Sequence, residues 1–249
     1  MAKQGGILQI QGTLENLTFY KSADGLLVRT RGGVSKQRIM NDPAFVRTRE
    51  NGAEFGHSAN SGKLLRNAVG SMVFKAKDRK LSSRLLKVMS QLKNLDTVNA
   101  RGMRKVAEGL NDPNGKLLLK GFDFNDRAAL QSVLYSPIAV DPLTGTVTIS
   151  DFNPMEQLRG GDGATHFSLQ SAYLNLDFET GASAITYSPA VSFPITNGII
   201  SPILTPTAVP AGNGTQLFFL LVEFFQEVNG VPYLLNNGAF NVLNCLDVV

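Results

Sequence analysis

Apolar and polar positions along the chain alternate first with a period of two, then with a helical period, then with a period of two again. Ile7-Leu8-Gln9-Ile10, Leu17-Thr18-Phe19-Tyr20 and Leu26-Leu27-Val28 are β-prone runs, and Asp24-Gly25 stands before the last. Asp-Gly between such runs is a hairpin signal. A three-stranded meander is therefore predicted over residues 6–31, closed by Gly32-Gly33, as an N-terminal ribbon spanning 1–35. A ribbon of this size is marginal alone and has to lie on something, either its own body or a neighbouring copy.

The helical section follows, over 36–115. Asp42 is placed to cap a helix that starts at Pro43, where a proline is tolerated because its missing N–H has no intrahelical partner. Phe45, Gly52, Phe55, Ala59, Val69 and Met72 or Val73 then recur at helical spacing. Gly52 and Gly56 lie close to that stripe; each costs about 1 kcal/mol relative to alanine. Such a cost points to a close backbone approach, a bend, or a break near Gly62. Leu81, Leu85, Val88, Leu92 and Leu95 form a cleaner amphipathic stripe, and Met103, Val106 and Leu110 suggest a third, shorter helix. Together these read as a helical hairpin or small bundle.

The remainder, 116–249, reads as β structure. Thr146-Val147-Thr148-Ile149-Ser150 alternates strictly. Phe167 and Leu169 give way to Leu174, Leu176 and Phe178 with a change of parity, which predicts a bulge near Ser171. Glu179-Thr180-Gly181 and Asn229-Gly230 are turns, and residues 216–228 form a strongly apolar strand. Pro194, Pro202, Pro206 and Pro210 mark edge strand or loop. The fold class expected is α+β: a β-meander and a helical hairpin or bundle, then a C-terminal antiparallel β-sandwich, Ig-like or jelly-roll-like.

Charge sharpens the division. The net charge is +4, but residues 1–120 hold 22 of the 24 Lys and Arg against 9 acids, while residues 121–249 hold Arg127 and Arg159 against 11 acids. The net charges are thus +13 and −9. A boundary is expected near 115–125, at Asn111-Asp112-Pro113-Asn114-Gly115, residues that favour turns. Three readings of the polarity are open: neighbouring domains neutralise each other within a subunit, basic and acidic ends meet between copies, or the basic half meets nucleic acid.

The chemical inventory is thin. His57, His166 and Cys245 show no metal-ligand spacing. Gly56-His57-Ser58-Ala59-Asn60 departs from a nucleophile elbow at Asn60. Gly62-Lys63 and Gly115-Lys116 lack the earlier glycine of a phosphate loop, and Gly161-Asp162-Gly163 has no third glycine. Neither an enzyme nor a cofactor is expected. The first residues lack the apolar core of a secretory signal, and the longest apolar run, 217–222, cannot span a bilayer. One unpaired cysteine fits a reducing compartment. The expected protein is cytoplasmic, or released from the cytoplasm within an assembly, with no membrane insertion.

Gly32-Gly33-Val34-Ser35, Arg38-Ile39, Asn41-Asp42-Pro43-Ala44-Phe45 and the run from Arg47-Thr48-Arg49-Glu50-Asn51-Gly52 to Gly56 resemble a group of bacterial proteins about this long. Lys93-Asn94-Leu95-Asp96, the run 224–230 and the run 235–241 resemble them too. The resemblance brings no activity, cofactor or site residue.

These observations favour a non-enzymatic structural protein whose partners are copies of itself, as a filament or tube built head to tail. The interface would draw on Ile7, Leu8, Ile10, Phe19 and Tyr20 of the ribbon, on Arg47 and Arg49, and on Glu223 and Glu227, four apart on one strand. The alternative is a nucleic-acid-binding accessory protein using Lys75, Lys77, Arg79, Lys80, Arg84 and Lys87, although the nearby aromatics Phe45, Phe55 and Phe74 fall on or near the apolar stripe. A phage-like virion or tail component shares the same assembly physics.

Overall fold

The computed structural model describes residues 2–4, 9–30 and 32–249. They form two compact units, Met1–Arg49 and Glu50–Val249.

The first unit is an antiparallel sheet and a short helix. Strands β1 (Ala2–Lys3), β2 (Gly12–Leu14), β3 (Leu17–Ser22) and β4 (Gly25–Thr30) lie in the order β1-β4-β3-β2. The meander β2-β3-β4 has the predicted connectivity, with β3 and β4 paired from Leu17↔Thr30 to Ser22↔Gly25. Its first strand is Gly12–Leu14. Gln9 and Ile10 lie in no strand, and Ile7 and Leu8 fall outside the described residues. Tight turns fix the register: Glu15 takes φ 49° in one, and Ser22 Oγ accepts from Asp24 N at 3.0 Å in the other. Helix α1 (Lys36–Asn41), capped by Ser35, buries no residue. Six residues without an inward face leave no periodicity to read.

Asp42 caps as expected. Its Oδ1 accepts from Ala44 N at 2.9 Å at the head of a 3-10 turn, Pro43–Phe45, that runs into helix α2 (Val46–Ala68). The unit boundary falls within this helix. Helices α3 (Gly70–Lys75), α4 (Leu81–Asn94), α5 (Val106–Asn111) and α6 (Pro113–Leu119) follow. The α4 stripe holds at Leu81, Leu85 and Leu92, which are buried together with Met89, while Val88 and Leu95 are half-buried.

Helix α2 departs from its predicted stripe. It continues through Gly62, and its buried face is Glu54, Ser58, Ser61, Gly62 and Leu65, while Phe55 is 60% exposed. Close approach is the reason. A Cβ on Gly62 would stand 3.5 Å from Leu85 Cγ, so small side chains form the contact and hydrophobicity does not mark it. The expected turn at 111–115 is instead a helix start, because Asp112 Oδ1 accepts from Asn114 N at 2.8 Å with Pro113 in the first turn. Met103 lies ahead of α5 and is exposed. The glycines here serve contact: a Cβ on Gly109 would overlap the Leu92 carbonyl oxygen.

After α7 (Leu130–Val133) come β5 (Ile138–Val140), β6 (Val147–Ile149), α8 (Pro154–Gln157), β7 (His166–Leu176), β8 (Ser183–Tyr187), β9 (Val191–Pro194), β10 (Ile203–Leu204), β11 (Thr215–Val228), β12 (Val231–Leu234) and β13 (Val242–Val248). β7 and β11 are the axis of a six-stranded antiparallel sheet, with β8 and β9 beside β7 and with β12 and β13 beside β11. A three-stranded sheet runs β10-β6-β5.

Both faces of the larger sheet are covered. On one, Leu65, Met72, Leu85 and Leu92 from the helices meet Leu174, Phe219, Leu221 and Leu243. On the other, Phe167, Leu169, Leu220, Val222 and Phe224 meet Val147, Ile149, Phe152 and Leu204. The arrangement is α+β: helices cover one face of the larger sheet, and residues of the three-stranded sheet lie against the other. The bulge predicted near Ser171 is absent, since β7 and β11 pair without interruption from His166↔Phe225 to Leu176↔Thr215. The parity change arises because β7 has two buried faces. A register slip does occur nearby, between Phe218 and Phe219 opposite β13.

Candidate functional site

The first unit is nearly coreless. Leu27 is its one buried residue among the described residues. The pairings put Leu14, Leu17, Phe19, Leu26 and Val28 on one face of the sheet, with Lys21 at its margin. Thr18, Tyr20, Leu27 and Arg29 share the other face, where the Arg29 guanidinium stands 5.5 Å from the Tyr20 ring centre. Phe19 and Tyr20 are half-buried, whereas Leu14 is 64% and Ile10 47% exposed. Of the expected interface set, Ile7 and Leu8 lie outside the described residues. Arg47 is exposed on α2. Arg49 is engaged locally, donating to the carbonyls of Ile39 at 2.7 Å and Asp42 at 3.1 Å, which pins α1 to the start of α2.

Glu223 and Glu227 share a strand face but differ in surroundings. Glu223 is buried and its carboxylate meets Lys75 Nζ at 2.8 Å, at the end of α3. Glu227 is exposed, with His166 Nε2 3.4 Å from its carboxylate. The hairpin they lead into carries uncovered apolar side chains: Val228, Val231, Tyr233 and Leu234.

The basic stretch divides similarly. Lys75 is committed to Glu223. Arg84 is held by Asp78, donates to the Asp123 carbonyl at 2.7 Å and lies 5.2 Å from the Phe122 ring centre. Lys77, Arg79, Lys80 and Lys87 are exposed. Phe74, expected near the apolar stripe, is 79% exposed with Lys77 Nζ 5.5 Å from its ring centre. It projects because α3 turns Met72 and Val73 inward. Lys75–Glu223, Lys105–Glu179 and Lys120–Asp247 all join the basic part of the chain to the acidic part within the second unit. At these places the polarity is neutralised internally.

A buried polar clasp escaped the sequence reading. Glu54 pairs with Lys93 and accepts from Gly102 N at 2.8 Å. Asp96 accepts from the amides of Val98, Asn99 and Lys105 and from the Asn99 side chain, at 2.7–2.9 Å. Burial pushes the Asp96 carboxyl up, but those donors outweigh it and bring its pKa down to about 2. His57 Nε2 accepts from Val106 N at 2.9 Å. Burial, with Lys105 nearby, lowers the His57 pKa, so the ring acts as a neutral acceptor. These groups tie the 95–106 segment to α2 and α4. Only Glu54 one turn before Ser58 on a polar helix face could have signalled it.

Among the described residues no group of three His, Cys, Asp or Glu is arranged to hold a metal ion, and no helix is long and apolar enough to cross a membrane. Cys245 is buried, and burial pushes its thiol pKa up. Comparison with protein-family models, with curated proteins and with solved structures returns no match.

Proposed function

We propose that this is a non-enzymatic structural protein that assembles from copies of itself, with the N-terminal sheet as its adhesive element. The observation that carries the reading is that four strands bury Leu27 alone while Leu14, Leu17, Phe19, Leu26 and Val28 line one face. A sheet with an apolar face is stabilised by covering that face, and small sheets are marginal without it. Contiguous exposed apolar surface marks interaction sites. The sequence adds charge: residues 1–49 carry eight Lys and Arg against three acids. Contacts between unlike ends of a subunit close into rings or run on as filaments; the filament or tube is the favoured form, within the cytoplasm or an assembly released from it.

The test is the mass of the full-length protein in solution, measured against concentration and salt. The expected result is mass rising with concentration at low salt and falling as salt screens the charges. A monomer at every concentration would end the reading. A second reading, nucleic-acid binding, draws on one feature, the exposed Phe74 among Lys77, Arg79, Lys80 and Lys87. It predicts binding that weakens steeply with salt, and no binding at low salt would dismiss it.

A further inference from the structure

We propose that the surface receiving the N-terminal sheet of a second copy is the β11–β12 hairpin of the second unit, with Glu227 as its charged contact and Phe225 and Leu234 as its apolar ones. The proposal rests on the self-assembly reading and names the partner surface within it.

Position is the first argument. The second unit has two ends along its long elements. The chain enters at Glu50, whose carboxylate lies 3.4 Å from Arg101, and Glu54 one turn later binds the Gly102 amide. Farther along, Gly62 packs on Leu85, and α3 ends with Lys75 on Glu223. β11 continues past that point to Val228 and turns back as β12. The hairpin therefore stands at the end of the unit opposite the chain's entry. The sheet of one copy seated on the hairpin of another joins unlike surfaces, a heterologous contact that can propagate.

Cover is the second argument. Strand alternation places Phe225 and Glu227 on the same face as Leu221 and Glu223, the face that the helices cover up to Lys75. Leu234 pairs with Phe225 and so shares that face, while Tyr233 and Val231 take the other. Beyond Lys75 burial falls away: Phe225 is half-buried, Glu227 and Leu234 are exposed, and Tyr233 is 58% exposed. Pro232 lacks an N–H on the strand that borders this hairpin, which discourages addition of a further strand along the edge. Docking is then face to face.

Charge is the third. No Lys or Arg follows Arg159, whereas Asp162, Asp177, Glu179, Glu223, Glu227 and Asp247 lie beyond it. Glu223 and Asp247 are engaged by Lys75 and Lys120, and Glu179 by Lys105. Among the described residues Glu227 has only His166 as an ion-pair neighbour, at 3.4 Å. On the opposing surface, Lys21 sits at the margin of the apolar face that holds Phe19 and Leu26. An apolar face with a lysine at its rim matches an apolar hairpin with a glutamate at its rim, and such rim pairs set register and partner choice.

Charge exchange in the full-length protein tests this. Glu227→Lys and Lys21→Glu are each expected to raise the concentration for half-assembly at low salt by about tenfold, and the double variant to restore it to within about threefold of the parent. Leu234→Asp, on the apolar part of the same face, is expected to weaken assembly at high salt as well. Both charge changes are at exposed positions, and an unchanged thermal unfolding midpoint separates a lost contact from a lost fold. If the parent protein is a monomer, this proposal and the self-assembly reading fail together. If the parent assembles and Phe19→Asp abolishes assembly, but Glu227→Lys and Leu234→Asp leave it unchanged, the hairpin is not the acceptor and the self-assembly reading stands.

Discussion

The two units contain sheets written with the same alternation, yet their strands end in opposite circumstances. In the second unit β7 and β11 are buried on both faces, by the helices on one side and by β6, Phe152 and Leu204 on the other. In the first, Leu17, Phe19, Leu26 and Val28 alternate as regularly, yet Leu27 alone is buried among the described residues. Alternation thus specifies a strand and its faces but not what covers them. Cover comes from other elements, and among the described residues of the first unit helix α1 buries nothing.

That contrast can be tested by mutation in the full-length protein. Leu85→Ala should have the largest effect, because Leu85 is wholly buried where α2 and α4 meet. Denaturant unfolding should show a loss of roughly 2–5 kcal/mol, the usual cost of such a cavity. Asp96→Asn should come next, at roughly 2 kcal/mol at neutral pH, because the amide cannot replace a carboxylate that accepts from three backbone N–H groups. The sign of its pH dependence follows from the depressed pKa. The folded carboxyl titrates at about 2 and the free one near 3.8. The contribution is therefore fully present above pH of about 4 and is lost as pH falls toward about 2. Unfolding midpoints of parent and variant should converge over that interval. The smallest effect is expected from Phe19→Ala, within about 0.5 kcal/mol on unfolding of the second unit in dilute solution. A loss there as large as that of Leu85→Ala would erase the distinction between the two sheets.

The sequence was most legible where one rule governed. The α4 stripe, the β3–β4 hairpin and the capping by Asp42 follow from periodicity, turn chemistry and N-cap preference. Where two causes competed, the pattern misled. Asn-Asp-Pro occurs at 41–43 and again at 111–113, and Asp caps a helical turn both times; the second instance reads as a loop because glycine and a charge boundary stand beside it. The inward face of α2 is invisible to hydrophobicity, since it includes Glu54, Ser58, Ser61 and Gly62, the last packed on Leu85. The β7 parity change mimics a bulge because both faces are apolar. For the candidate surfaces, the ribbon and the exposed Glu227 could be anticipated. The burial of Glu223 under Lys75, and the capture of Arg84 by Asp78 and Asp123, needed the third dimension.

Hydrogen exchange measured at several protein concentrations tests the central claim most directly, because it reads the cover of each sheet separately. Amides of β3 and β4 are expected to gain protection as concentration rises at low salt, while those of β7 and β11 are protected equally at every concentration. Protection of β3 and β4 that is the same in dilute and concentrated protein would contradict it.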